Sequence, residues 1–320
     1  MTFLGPALDL DAYPTVRRLF QNTAFGRAFI RGFLALGQSD VISRGKFNDH
    51  EETKKLIPPS SSFWSGTLVG MLNYPTDFFG LIRQGLVHVH IADIEVLSEN
   101  TVHLSDGKDI EADLLICATG WKMTPTISFL PSNISDKMGV SVAKPTDPTV
   151  QAADAEIMKR WPLLKDQPPA EPNALKEREQ PSWALYRGLV PPAFLQSRNL
   201  AYCGMGATLR GMLTAQTQAL WITALLDGKL SITLPSEEEA SWDAMLQNRF
   251  FRWRAPNGHG SKCPDMIFEM MPYIDTLMRD LGLNPARKGG WRELFESYGV
   301  QDYSGLVKEW MEAQGQNVLG

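Results

Sequence analysis

Residues 112–120 read ADLLICATG. Leu114 and Ile116 fall on one side of an extended chain, and Leu115 and Cys117 on the other. A strand that is apolar on both sides needs cover on both faces. The run therefore calls for a central sheet with a layer above and a layer below. It stops abruptly in Ala118, Thr119 and Gly120. In open α/β sheets ligands bind at the carboxyl ends of strands, and glycine lets the backbone approach them closely. A small residue and a hydroxyl beside it keep that path narrow and polar. The same three residues also suit a plain turn from strand to loop, and on these residues alone both readings stay open.

The stretch before this run carries further strand signals. LVHVHI, residues 86–91, alternates, with Val87, Val89 and Ile91 on one face and His88 and His90 on the other. A His-x-His pair on a strand suits a metal, but no carboxylate or cysteine stands at a supporting spacing, and a polar strand face is the preferred reading. No metal site is expected. IEVL and TVHL read as short strands separated by SEN, and Asp106-Gly107 marks a hairpin turn. Upstream, Pro14 to Leu36 has Val16, Leu19, Phe20, Phe29, Ile30 and Phe33 at helical spacing, which predicts a packed helix pair broken near Gly26. Arg17, Arg18, Arg27 and Arg31 then occupy a solvated face rather than a phosphate or membrane contact.

From Pro131 to Pro192 the chain is proline-rich and mixed in charge, which reads as a long surface insertion. NLAYCGMG follows, a second short apolar strand over Leu200, Tyr202 and Cys203 that ends in Gly204 and Gly206. A helix comes next, with Thr214 as its cap and Gly228 at its C-terminal end. A strand end that feeds a helix puts backbone N–H groups and the positive helix end at one point, which suits an anion. LPSEEEASW opens another helix with a serine cap and an acidic first turn. YIDTLMRDLG marks a third, in a helical tail that runs to Trp310.

Composition narrows the function classes. With 36 acidic and 31 basic residues the net charge is -5, which gives no electrostatic footprint for nucleic acid. The 3 cysteines, Cys117, Cys203 and Cys263, are too few and too far apart for a disulfide framework. Neither a secretory leader nor an apolar run long enough to span a bilayer is legible, so a cytoplasmic protein is expected.

Taken together, LVHVHIADIEVLSENTVHLSDGKDIEADLLICATGW resembles the flavin-containing monooxygenase family, in which a hairpin precedes an acidic residue, an apolar strand and an Ala-Thr-Gly-aromatic end. NLAYCGMG and TAQTQALWITALLDGKLSITLPS resemble a later segment of that family. Gln218, Ala219 and Trp221 fall on its Gln-Ala-x-Trp pattern, and Leu234, Pro235 and Ser236 on its Leu-Pro-Ser. MMPYIDTLMRDLGLNP is similar to the closing region of fungal members. The resemblance implies an α/β fold, a two-dinucleotide-binding, Rossmann-like flavoprotein architecture with a helical C-terminal extension. It implies FAD and NADPH as cofactors, oxygen as co-substrate and a small organic metabolite as substrate. By the same resemblance Ala118, Thr119, Gly120, Gly204 and Gln218 lie along FAD or its nicotinamide partner. No catalytic acid or base is implied.

The family also carries two Gly-x-Gly-x-x-Gly turns and a Phe-x-Gly-x-x-x-His fingerprint, all ahead of Ala-Thr-Gly, and this sequence contains none of them. GMGATLRG comes nearest, but Gly211 stands too late. The architecture is thus expected to be incomplete, matching the C-terminal portion of the family. Residues 1–84 then form a helical remnant of the NADPH-domain region. Residues 85–235 carry the FAD-domain-type strands with the insertion at 131–192, and residues 236–320 form a helical region. Three explanations are open: a truncated chain, a chain completed by a partner that supplies the front half, or a remnant that serves as a non-catalytic binding or assembly module.

Overall fold

The computed structural model describes residues 14–58, 60–61, 64, 75–120, 127–141, 144–169, 181–208, 211–256, 259–261 and 263–315. Two helices open it, α1 (Pro14–Asn22) and α2 (Ala24–Gly45). They break at Thr23, whose hydroxyl caps α2 by accepting from the Gly26 N–H at 3.0 Å. The expected packing of this pair is only partly present: Phe20 packs beside Ile30, and Arg18 and Arg31 are exposed as expected. Ile30 is buried, but Leu19, Phe25, Phe29, Phe33 and Leu36 are exposed, while Arg17 is buried. Short helices α3 (Glu51–Lys54) and α4 (Phe78–Arg83) follow.

Residues 86–91 form no strand. The Val89 N–H donates to Glu52 Oε2 at 2.7 Å, and the Val89 carbonyl accepts from Lys55 Nζ at 2.9 Å. Two side chains of the α3 region thus take the place of a strand partner and satisfy the backbone without a ladder. Lys55 and this N–H together hold the Glu52 carboxyl down at about 2. His88 and His90 are exposed.

The expected hairpins do form. Strands β1 (Ile94–Ser98), β2 (Thr101–Leu104) and β3 (Asp109–Glu111) make an antiparallel sheet in the order β1-β2-β3. Val102 pairs with Ile110, and the Asp106-Gly107 turn closes β2 on β3. Val102 and Leu104 are buried, whereas Ile94, Val96 and Leu97 of β1 are exposed. Beyond Glu111 the chain does not enter a sheet. Leu114 is 76 % exposed and Ile116 79 %. The central strand expected over 112–120 has no pairing partner among the described residues, and the sheets they form are antiparallel.

Within the expected insertion from Pro131 to Pro192, Val150, Ala153, Ile157, Leu164, Leu189 and Val190 are fully buried and belong to the core, whereas residues 144–149 are exposed. The segment holds β4 (Val140–Ser141), α5 (Pro148–Arg160) and β5 (Ser182–Trp183), with β4 and β5 paired antiparallel. Residues 142–143 and 170–180 of this segment lie outside the described residues. Pro148 stands at the first position of α5 behind the cap Asp147, and Pro162 starts a 3-10 turn the same way. These prolines begin elements rather than interrupt them. Val150, Ala153 and Ile157 line one face of α5 and are fully buried. The valine and the isoleucine each contribute about 1.5–3 kcal/mol by burial.

Three helices complete the core: α6 (Gly211–Leu226), α7 (Glu237–Arg254) and α8 (Met270–Asp280). Thr214 sits inside α6, where it is buried, because the helix begins three residues before it. Gly228 ends α6 as expected: its φ of 68 is left-handed, and the Lys229 N–H returns to the Ala224 carbonyl at 2.7 Å. α7 packs on α5 through a fork in which Arg249 donates to both oxygens of Asp154 at 2.7 Å. Trp161, Trp221, Phe250, Ile274 and Leu277 fill the space between these helices. α9 (Arg292–Phe295) and α10 (Leu306–Ala313) follow, and Leu306 and Trp310 of α10 join the same core.

The expected serine cap of α7 is present as a full capping box. Ser236 Oγ accepts from the Glu239 N–H at 3.2 Å, and Glu239 Oε2 accepts from the Ser236 N–H at 2.8 Å. Ser236→Ala is expected to cost about 1 kcal/mol, read as a lower urea midpoint with an unchanged slope.

Candidate functional site

NLAYCGMG is extended loop rather than strand, tied to its surroundings by the Tyr202 N–H, which donates to the Leu189 carbonyl at 2.7 Å. It turns at Gly204, where φ is 80, a left-handed conformation that favours glycine. No heavy atom of the described residues lies within 4 Å of the place a Cβ would take at Gly204. Gly120 shares both properties, with φ 76 and no atom of the described residues within 4 Å. At each of these two positions the backbone is free to approach a bound molecule closely.

Gln218, on α6, reaches Gly204 directly. Its Oε1 accepts from the Gly204 N–H at 3.0 Å and from Cys203 Sγ at 3.4 Å. Its Nε2 donates to the Tyr273 hydroxyl of α8 at 2.9 Å, and that hydroxyl donates to the Arg187 carbonyl at 2.9 Å. Gln218 and Tyr273 are both buried at 2 % exposure, so the amide is spent within the protein. The Gly204 N–H, expected to be free for an anion, is likewise engaged.

One helical turn beyond Gln218, Trp221 Nε1 donates to Asp280 Oδ2 at 2.9 Å. Asp280 also accepts from Arg187 Nε at 2.9 Å and Nη2 at 3.3 Å. Gln218 and Trp221 thus share a face of α6, and Tyr273 and Asp280, seven residues apart, share the facing side of α8. The Gln-Ala-x-Trp pattern is the donor half of two rungs between these helices. Tyr273, Asp280 and Arg187 were not singled out from the sequence. The seven-residue spacing on an amphipathic helix was the available signal for the first two.

Arg187 takes a left-handed φ of 55 and lines a cleft of 540 Å³ with Tyr186, Leu234, Pro235, Glu239 and Asp243. Leu234 and Pro235 belong to the Leu-Pro-Ser pattern. The volume is in the range of small-molecule sites. Burial pushes the Tyr186 phenol up to about 12 and raises that of Tyr273, so both hydroxyls stay protonated near neutral pH.

Ala118, Thr119 and Gly120 are exposed. Among the described residues no hydrogen bond joins them to Gly204 or Gln218. Trp121, the aromatic end of their motif, lies outside the described residues. The structure brings together Gly204 and Gln218 of the five expected residues. Among the described residues no group of three or more His, Cys, Asp or Glu side chains is placed to hold a metal ion, and no helix is long and apolar enough to cross a membrane.

No protein-family model and no solved structure matches the chain. Curated proteins do match. The FAD-dependent monooxygenase rstn6 of Aspergillus nomiae is 32% identical over 289 residues, which cover 84% of this chain and 48% of that protein. The FAD-dependent monooxygenase resA of Aspergillus sclerotiorum is 31% identical over 277 residues, 82% of this chain and 46% of that protein. An FAD-dependent monooxygenase of Pyrenophora dematioidea is 32% identical over 249 residues, 74% of this chain and 44% of that protein. The chain spans about half the length of the curated relatives it matches. Repeated similarity of this kind over most of the chain supports its kinship with the fungal FAD-dependent monooxygenases.

Proposed function

We propose that this chain forms part of an FAD-dependent monooxygenase that uses NADPH and O2 to oxygenate a small organic metabolite in fungal secondary metabolism. The observation that carries the reading is the pair of left-handed glycines, Gly120 and Gly204, each at the end of a family-like motif and each with no atom of the described residues near where a Cβ would stand. That geometry fits the edge of a flat ring system. Bound FAD, once reduced, supplies the oxygen chemistry. The chain's own contribution is to shape and orient. Ala118, Thr119 and Gly120 would border the flavin or its nicotinamide partner, as would the Gly204 turn, and Gln218 would act from behind that turn.

This sequence contains no Gly-x-Gly-x-x-Gly turn, so the pyrophosphate would be held by residues outside it. The apolar run at 114–116 is the complementary clue. Its exposed side chains are those of a strand covered on both faces. A further polypeptide layer, continuous with this chain or separate from it, would cover that run and bring the phosphate-binding turn.

The test is the absorption spectrum of the protein recovered from its native host, followed by addition of FAD and NADPH. Flavin bands and NADPH oxidation are expected. A colourless protein that retains no added FAD and consumes no NADPH sinks the catalytic reading. It leaves the second one, a binding or assembly module, which the same exposed run supports. That reading would be abandoned on finding a clean monomer in size-exclusion with no partner in a pull-down.

A further inference from the structure

We propose that Tyr273 is the positioning residue of the Gly204 turn, acting through the side-chain amide of Gln218. The hydrogen-bond directions leave little freedom. The Gly204 N–H can only donate, so it must face the amide oxygen of Gln218. At the other end the Tyr273 hydroxyl spends its single proton on the Arg187 carbonyl, so toward Gln218 it can only accept, and it must face the amide nitrogen. Both ends demand the same orientation of one planar group. Without the hydroxyl, the amide nitrogen loses its acceptor and the amide its anchor on α8, so only the two loop donors still hold the oxygen in place.

The turn needs such a device. A left-handed glycine with no atom of the described residues near its Cβ position has little packing to hold it in place. The Gln218 oxygen gathers the Gly204 N–H and the Cys203 thiol, two neighbours on the loop, at 3.0 and 3.4 Å. The oxygen is held in turn from α8, a helix 55 positions further along the chain. Trp221 supplies an internal comparison. Its bond to Asp280 joins the same two helices but touches neither Gly204 nor Gln218. A residue that merely holds α6 to α8 behaves like Trp221; a positioning residue does not.

The positional claim stands on geometry alone, and only its consequence for flavin rests on the function proposed above. The experiment separates the two. Amide hydrogen exchange is measured on the full chain as Tyr273→Phe, Gln218→Met, the double variant and Trp221→Phe. Tyr273→Phe is expected to speed exchange at Gly204 about tenfold beyond its effect on the α6 and α8 amides, the scale of one lost hydrogen bond. Gln218→Met should do the same, and the double variant no more than either alone. Trp221→Phe should leave Gly204 at its wild-type rate relative to those helices. Equal acceleration in Tyr273→Phe and Trp221→Phe overturns the proposal, as does simple addition in the double variant. Should Tyr273→Phe fail to fold, unchanged Gly204 exchange in Gln218→Met overturns it, and selective acceleration supports it.

Flavin affinity, measured in parallel, should weaken about tenfold in Tyr273→Phe but not in Trp221→Phe. If wild type takes up no flavin, the assigned function fails while the exchange data still decide the role of Tyr273.

Discussion

Arg254→Met is expected to destabilise the protein by about 3–5 kcal/mol, the cost of stripping a buried ion of its partner. Arg254 Nε donates to Glu269 Oε1 at 2.7 Å, and the two side chains are only 3% and 7% exposed. The pair joins the end of α7 to the start of α8, since Glu269 is the residue that precedes α8. Methionine keeps most of the arginine stem, so packing changes little and the charge is what is lost. Urea unfolding followed by tryptophan fluorescence would read the loss. The double variant Arg254→Met, Glu269→Met should recover most of it, because replacing both partners with apolar groups removes the orphaned charge. A double variant as unstable as the single would show that stem packing, not charge, was at stake.

The same pair makes a pH prediction. Burial raises the Glu269 carboxyl above its ordinary range, and Arg254 opposes that rise. Without Arg254 the folded-state value climbs further above the unfolded one. The folded state then binds the extra proton between the two values, and stability falls as pH rises through that window. The deficit of Arg254→Met against wild type should therefore be smallest in acid and widen toward neutrality. A deficit that widens as pH falls would contradict the assignment.

What could be read from the sequence was mostly local. The Asp106-Gly107 hairpin, the Ser236 cap with its acidic first turn and the Gly228 end of α6 each rest on chemistry within about four residues, and each is present. Signals that depend on distant partners fared worse. The alternation over 86–91 marks an extended chain, but its backbone is met by Glu52 and Lys55, side chains more than thirty positions away. Proline richness over 131–192 suggested a surface loop, because proline looks the same at the first position of a helix as it does in a coil. The glycine turn was found, yet what holds it was not. The bonds from Gln218 to Tyr273 and from Trp221 to Asp280 span 55 and 59 positions, and pairing of that range leaves only spacing on each helix as its trace.

The apolar run at 114–116 is the other case in which sequence and structure part, and it yields a second large effect. The double variant Leu114→Asp, Ile116→Asp should leave the unfolding free energy of the chain, read from urea unfolding, unchanged within about 0.5 kcal/mol, as surface substitutions do. Leu114 and Ile116 already stand 76% and 79% in solvent, so nothing within the described fold is lost. Flavin retention in protein recovered from the native host should nonetheless fall at least about 100-fold, since burying even one unpaired carboxylate costs several kcal/mol. The contrast between the two readings carries the argument. A composition this apolar, LLIC flanked by Asp113 and Ala118, is what a buried strand requires, and it is costly to leave in water. If a covering layer forms, it forms on these side chains, and charge placed there blocks it without touching the rest. A large drop in the urea midpoint would mean that the run is packed within the chain itself. Unaltered flavin retention would mean that no layer covers it, and that the phosphate-binding turn must be brought to Gly204 by another route.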